Sequence, residues 1–182
     1  MGSAEDKAKK KKERQEKIRK ASLVLIAATI GFLHAASTIY LRGIYNIKSL
    51  LPSWGLKAGD YIINQGDFAV LTRKVAVKIL VDNNLLVIEQ TRQIAMLMLS
   101  VSVIYLVGKD ARERTSLLLF VGGLAGVLYH VFLYSLLHWP NSLVAKDVIF
   151  LVPNPIVAPF YIPLLLSALA FAAGTFLLFK KK

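Results

Sequence analysis

Four long apolar stretches alternate with short polar ones along this chain. Ala21 to Leu41 carries no charge. At 1.5 Å per residue it reaches about 31 Å, enough to cross the hydrocarbon core of a bilayer. A second run covers Leu85 to Gly108, although only Gln93 to Gly108 is free of charge; Glu89 and Arg92 stand three residues apart and can pair. The third covers Thr115 to Trp139 and the fourth about Ile162 to Phe179. The pattern predicts an all-α, polytopic membrane fold: a four-helix transmembrane bundle with spans at about 21–41, 85–108, 115–139 and 162–179. Gly31, Ala35, Ala36 and Ser37 on the first span, and Gly122, Gly123 and Gly126 on the third, predict close helix packing.

Two connections break this rhythm. In Arg42 to Ile88, Pro52, Gly55, Gly59 and Gly66 punctuate the first part, and Trp54 and Tyr61 suit a membrane interface. Asp67 is a plausible N-cap for FAVLTRKVAVKILV, where Phe68, Leu71, Val75 and Ile79 share a helical stripe and Arg73, Lys74 and Lys78 fall off it. That predicts an amphipathic helix on the bilayer surface. A hairpin is the rival, because Val75, Val77, Ile79 and Val81 alternate and Asp82-Asn83-Asn84 could turn the chain; the stripe favours the helix. The second connection, Trp139 to Pro163, is nearly apolar yet broken by Pro153, Pro155, Pro159 and Pro163. Proline removes a backbone donor and clashes with the preceding turn, so an ordinary helix is excluded. Irregular backbone at membrane depth must be buried by protein or wetted. The stretch is therefore expected to cap the bundle at its outer face, with Trp139, Pro153, Pro155 and Pro159 as its fixed points.

Composition agrees with this class: 55% of the 182 residues are hydrophobic and the mean hydropathy is +0.54. The absence of cysteine excludes disulfides and thiolate chemistry. The net charge of +12 raises the question of nucleic acid, but its distribution points to membrane topology. Residues 1–20 form a basic N-terminal extension, and residues 21–182 the membrane domain. No aromatic residues interleave the lysines, so nucleic-acid binding is not expected and anionic lipid headgroups are. The extension is too long and basic for a signal peptide, and Asp6 stands where myristoylation wants Ser or Thr. Fifteen of the 23 Lys and Arg lie in the two termini and the KDARER turn, Lys109 to Arg114. The positive-inside rule then places both termini in the cytoplasm of a multi-pass cell (inner) membrane protein.

The runs IEQTRQIAMLML (Ile88 to Leu99) and HWPNSLVAKDVIFLVPNPIVAPFYIP (His138 to Pro163) carry a resemblance. Glu89, Arg92, Ala95, Trp139, Pro140, Ser142, Leu143, Asp147, Phe150, Leu151, Pro153, Pro155 and Pro159 make the chain similar to an uncharacterised family of small bacterial four-span membrane proteins. That family has a Glu-x-x-Arg-Glu-Ala-Ala start to its second span. It also has a Trp-Pro-x-Ser-Leu, Asp, Phe-Leu-x-Pro-x-Pro signature before its fourth. The likeness runs from about Glu89 to the C-terminus. Gln93 departs from the expected Glu, Gly126, Tyr129 and His130 replace an aspartate and paired tyrosines, and the Trp expected after the second proline is missing. The resemblance implies a fold and no activity.

Three sets of polar residues are candidates for chemistry. His34 and His130 fall at similar depths in the first and third spans, as axial ligands of a haem b would; the bland alternative is interhelical hydrogen bonding. His138, two turns beyond His130, joins a metal site only at a stretch. Glu89, Arg92 and Asp147 fall at the outer face, where Arg92 could bridge the two acids; they suit a structural latch, or a pocket for a headgroup, a quinone or a proton path. No metal site, phosphate loop or nucleophile motif is present in the sequence. These observations favour a non-catalytic accessory or assembly subunit of a larger membrane complex, without cofactor, with the lipid bilayer and other membrane protein subunits as partners. The alternatives are a haem- or metal-binding redox protein, and a lipid- or quinone-pocket enzyme or carrier. The topology has a direct check: a cysteine placed at Lys57 or Asn141 should react with an impermeant thiol reagent from outside the cell, and one at Ser3 or Lys181 should not.

Overall fold

Helix α4, Ala111–Leu137, is the mast of the molecule. It packs along α5, Tyr161–Phe179, on one side and along α1, Gly2–Tyr45, on another, and more lightly against α3, Asn83–Val107. A computed structural model gives this fold and describes residues 2–45, 56–65, 67–80 and 83–179. Pro52, Trp54, Gly55, Gly66, Val81, Asp82 and Lys180 to Lys182 of the sequence reading lie outside these residues. Four helices are long and apolar enough to cross a membrane: Asp6–Leu41, Asn84–Val107, Ala111–Leu137 and Tyr161–Leu178. The basic extension and the first span are one continuous helix.

Glycines set the helix spacing. A Cβ at Gly31 would stand 2.7 Å from the Ala125 carbonyl oxygen, so α1 and α4 touch backbone to backbone. At Gly123 it would meet Phe171 Cα and the Ser167 carbonyl oxygen at 2.7 Å, and at Gly174 it would meet Phe120 Cα at 2.7 Å, which closes α4 on α5. Small residues are how helices approach where lipid supplies no hydrophobic drive. Gly122 differs from its neighbours, for a Cβ there meets nothing within 4 Å.

The KDARER turn locks one end. Asp110 caps α4 by accepting from the Glu113 backbone N–H at 2.7 Å, and Glu113 accepts from the Lys109 N–H at 2.9 Å. Glu113 also pairs with Arg19 of α1. Arg114 donates to the Gly108 carbonyl at 3.0 Å and lies 3.7 Å from the centre of the Tyr105 ring.

The opposite end corrects the all-α expectation. A four-stranded antiparallel sheet closes it, in the order β1-β2-β4-β3. Strands β1, Tyr61–Gln65, and β2, Phe68–Leu71, form a hairpin within the long connection, and β3, Lys146–Phe150, and β4, Ile156–Pro159, form one within the proline stretch. The hairpins join where Ala69 faces Val157 and Val70 faces Ile156. Strand β2 pairs with β4 only there, so Pro159, at the end of β4, breaks no bond to it. Asp67 is a turn residue of the first hairpin rather than a helix cap. The amphipathic helix starts later, as α2, Arg73–Leu80, because Phe68 to Leu71 find strand partners on β1 and Ala69 and Val70 also find them on β4. Val75 and Ala76 turn inward from α2, as the stripe requires of Val75, while Arg73 and Lys74 face out. One apolar core joins α2, the sheet and Leu86; a second, with Leu23, Ala27, Leu117, Phe120 and Val121, lies toward the KDARER end.

If the glycine contacts set the packing, Gly123→Ala should lower stability by about 1–3 kcal/mol through overpacking. Gly122→Ala should leave it unchanged or raise it by up to about 1 kcal/mol through helix propensity. Thermal unfolding in detergent would measure both.

Candidate functional site

Between the two apolar cores, beneath the sheet, lies a layer of polar side chains. Gly31 lets α1 close on α4, and His34, one turn on, then lies against Tyr129 with ring centres 4.7 Å apart. Tyr129 in turn meets His130 edge-on at 4.9 Å, and His130 meets Phe160 at 4.6 Å. The His130 Nδ1–H donates to the Gly126 carbonyl at 2.6 Å; a carbonyl can only accept, so the proton is on Nδ1. These rings border a cavity of about 260 Å³. His34, His130, Asp147, Tyr129 and Ser167 give it polar points, and the remaining wall is mostly apolar. Ser100 is the residue that α3 adds.

Asp147 sits on β3, only 8% exposed, and its carboxylate accepts from the Trp139 indole N–H at 3.1 Å and from the Val148 backbone N–H at 2.8 Å. Strand β3 thus aims an acid at the cavity that holds both bundle histidines.

Helix α3 contributes a clamp. Arg92 pairs with Glu89 through one guanidinium edge, Nε and Nη2 each donating to a carboxylate oxygen, the Nε contact being 2.8 Å. Its Nη1 lies 3.5 Å from Nδ1 of His34. The bridge from Arg92 to Asp147 expected from the sequence is replaced by this reach to His34. Gln93 completes the shell: its amide donates to Glu89 at 3.5 Å and its oxygen accepts from the Leu151 N–H at 3.2 Å. Gln90 donates to the carbonyls of Leu151 and Pro153, at 2.8 and 3.2 Å. The β3–β4 hairpin is thereby tied to α3 at the turn where Pro153 and Pro155 deny it strand pairing.

The sequence-derived residues therefore fall into two groups. His34, His130 and Asp147 share the cavity. Glu89 and Arg92 stand behind His34. Trp139 steadies Asp147, Pro155 and Pro159 are fully buried, and Pro153 is exposed at the hairpin turn. His138 ends α4 in a left-handed conformation (φ 52°), exposed and stacked on Tyr134 rather than joined to His130. Sequence reasoning missed Gln90, Ser167 and Phe160. Gln90 and Gln93 were detectable as polar residues one helical turn apart beside Glu89 and Arg92.

The haem reading can be tested on this geometry. A bis-histidine haem needs its flat ring between the two ligating helices. Here those helices touch at Gly31 and Ala125, one turn from His34, and Tyr129 lies against both imidazoles. The residues do not fit a haem. Among the described residues, no group of three His, Asp or Glu side chains is placed to hold a metal ion. Comparison with known proteins found no matching family, curated protein or solved structure.

Glu89 is 5% exposed and its carboxylate is paired with Arg92. Arg92→Ala should destabilise the protein by about 3 kcal/mol, as for one partner removed from a buried pair, and more than Glu89→Gln does. Chemical unfolding of both variants would rank them.

Proposed function

We propose that this chain is a multi-pass protein of the cell membrane, with both termini cytoplasmic, that holds a small amphipathic molecule in the cavity beneath its sheet. One observation carries the reading. Two histidines and a nearly buried aspartate converge on one apolar-walled space between helices. Ionisable groups at membrane depth are costly and usually mark a ligand or ion pathway. An apolar pocket with a few convergent polar groups is the usual form of a small-molecule site. Val148, Ile149 and Ala158 of the sheet segment line one part of the space, and Val121 of the second apolar core lines another. The proposal concerns binding.

A second reading, the accessory subunit of a larger membrane complex, is favoured by α3. Leu97, Met98, Val101 and Leu106 of this helix are exposed, and of its residues Leu86, Glu89 and Ile104 are buried. Helix α3 is held at its ends and packs lightly between them, which leaves an apolar face for lipid or for a neighbouring subunit.

The first reading has a physical test. Protein purified in lipid nanodiscs and analysed by native mass spectrometry should retain a small organic molecule at about one per chain. Gly122→Leu, whose side chain would enter the cavity, should release it without lowering the unfolding temperature. Retention of nothing by either protein would overturn the reading.

A further inference from the structure

The two histidines present fixed and opposite hydrogen-bonding characters to the cavity. Nδ1 of His130 carries the proton, because its partner is the Gly126 carbonyl at 2.6 Å. Its Nε2 is then a bare acceptor in the neutral ring. His130 is 6% exposed, borders the cavity, and its Nε2 has no hydrogen-bond partner among the described residues. His34 is the reverse. Arg92 has only protons to offer, so the nitrogen facing it at 3.5 Å, Nδ1, is the unprotonated one. That puts the His34 proton on Nε2, which likewise has no partner among the described residues. Neutral rings suit an apolar surround, where a bare charge is costly.

The charges around the cavity narrow the choice further. Glu89 and Arg92 neutralise each other. An anionic headgroup is disfavoured against mostly apolar walls, where burying a charge is costly. The walls offer aromatic rings from Tyr129 and Phe160, against which a flat ring can pack.

We propose that the cavity binds a membrane quinol, an uncharged dihydroxy-aromatic lipid headgroup, in preference to its oxidised quinone. One quinol hydroxyl donates to Nε2 of His130, and the other oxygen accepts from Nε2–H of His34. The quinone, which has only acceptors, can satisfy His34 but leaves the acceptor of His130 unmatched. An unmatched buried polar atom weakens binding by about tenfold. The proposal rests on the cavity reading above, and it assigns the class and redox form of the occupant. It involves binding alone and no electron transfer.

The test uses the full-length protein in nanodiscs, stripped of retained lipid and titrated with decylubiquinol under argon with a reductant, with decylubiquinone, and with palmitate. Trp139 fluorescence would report binding, since Trp139 bonds the cavity acid Asp147. The expected order is quinol about tenfold tighter than quinone, with palmitate weakest. His130→Leu should abolish the preference for quinol by weakening quinol binding about tenfold, and Thr29→Ala, exposed on α1, should change nothing. Gly122→Leu guards against misfolding of the histidine variant, since it should block both quinol and quinone while the protein keeps its unfolding temperature. Equal affinity for the two redox forms, or tighter binding of palmitate, would overturn the quinol assignment while leaving the cavity reading in place, provided Gly122→Leu blocks the ligand that binds. Binding of none of the three overturns the quinol assignment as well; the cavity reading fails with it only if the native protein also retains no molecule that Gly122→Leu releases.

Discussion

The structure depends on how closely α4 can be approached. Gly31 on α1, Gly123 on α4 and Gly174 on α5 are places where any side chain would collide with a neighbouring backbone, and at Gly126 on α4 it would collide with the Ser167 side chain. Dispersion between such surfaces is what binds helices in an apolar solvent. The same contacts set the height of the polar layer. His34 meets Tyr129 because Gly31 brings α1 against Ala125, and His130 bonds the carbonyl of Gly126, beside which Ser167 of α5 also packs. The bundle's spacing and the placement of its polar groups thus have one cause.

The sheet solves a different problem. Two connections leave the same end of the bundle, and both carry apolar residues with backbone groups that need partners. Pairing β2 with β4 satisfies both at once and lays a continuous lid over the polar layer. Gln90 and Gln93 then bind the lid where prolines prevent it from pairing with itself. The proline stretch keeps its expected role as a cap, but it does so largely as a hairpin.

The helices were legible because an uncharged run of span length has few other readings, and Tyr161–Phe179 falls within a residue of the fourth expected span. The KDARER turn was legible for the converse reason. The strands were hidden: FAVL and IVAP are four residues each, prolines bound or end the second, and the pairing of Ala69 with Val157 is set by distant parts of the chain. The first seven residues after Asp67 also split between strand and helix, which no single period describes. Depth along each span brought His34 and His130 to the same level. Rotation about the helix axis decided the rest: it turned Arg92 toward His34, and no repeat in the sequence reports it.

The unbroken α1 has a consequence for its lysines. In the membrane arrangement proposed above, Lys20 stands at the boundary and the helix continues to Gly2. Lys7 is then about 20 Å farther along the axis, about twice the distance over which physiological salt screens a charge. A rod that leaves the bilayer along its own axis divides its basic residues by range. Lys17, Arg19 and Lys20 lie within reach of the headgroup potential, Lys12 stands about 12 Å out, and only Lys7, at about 20 Å, stands where little of that potential remains.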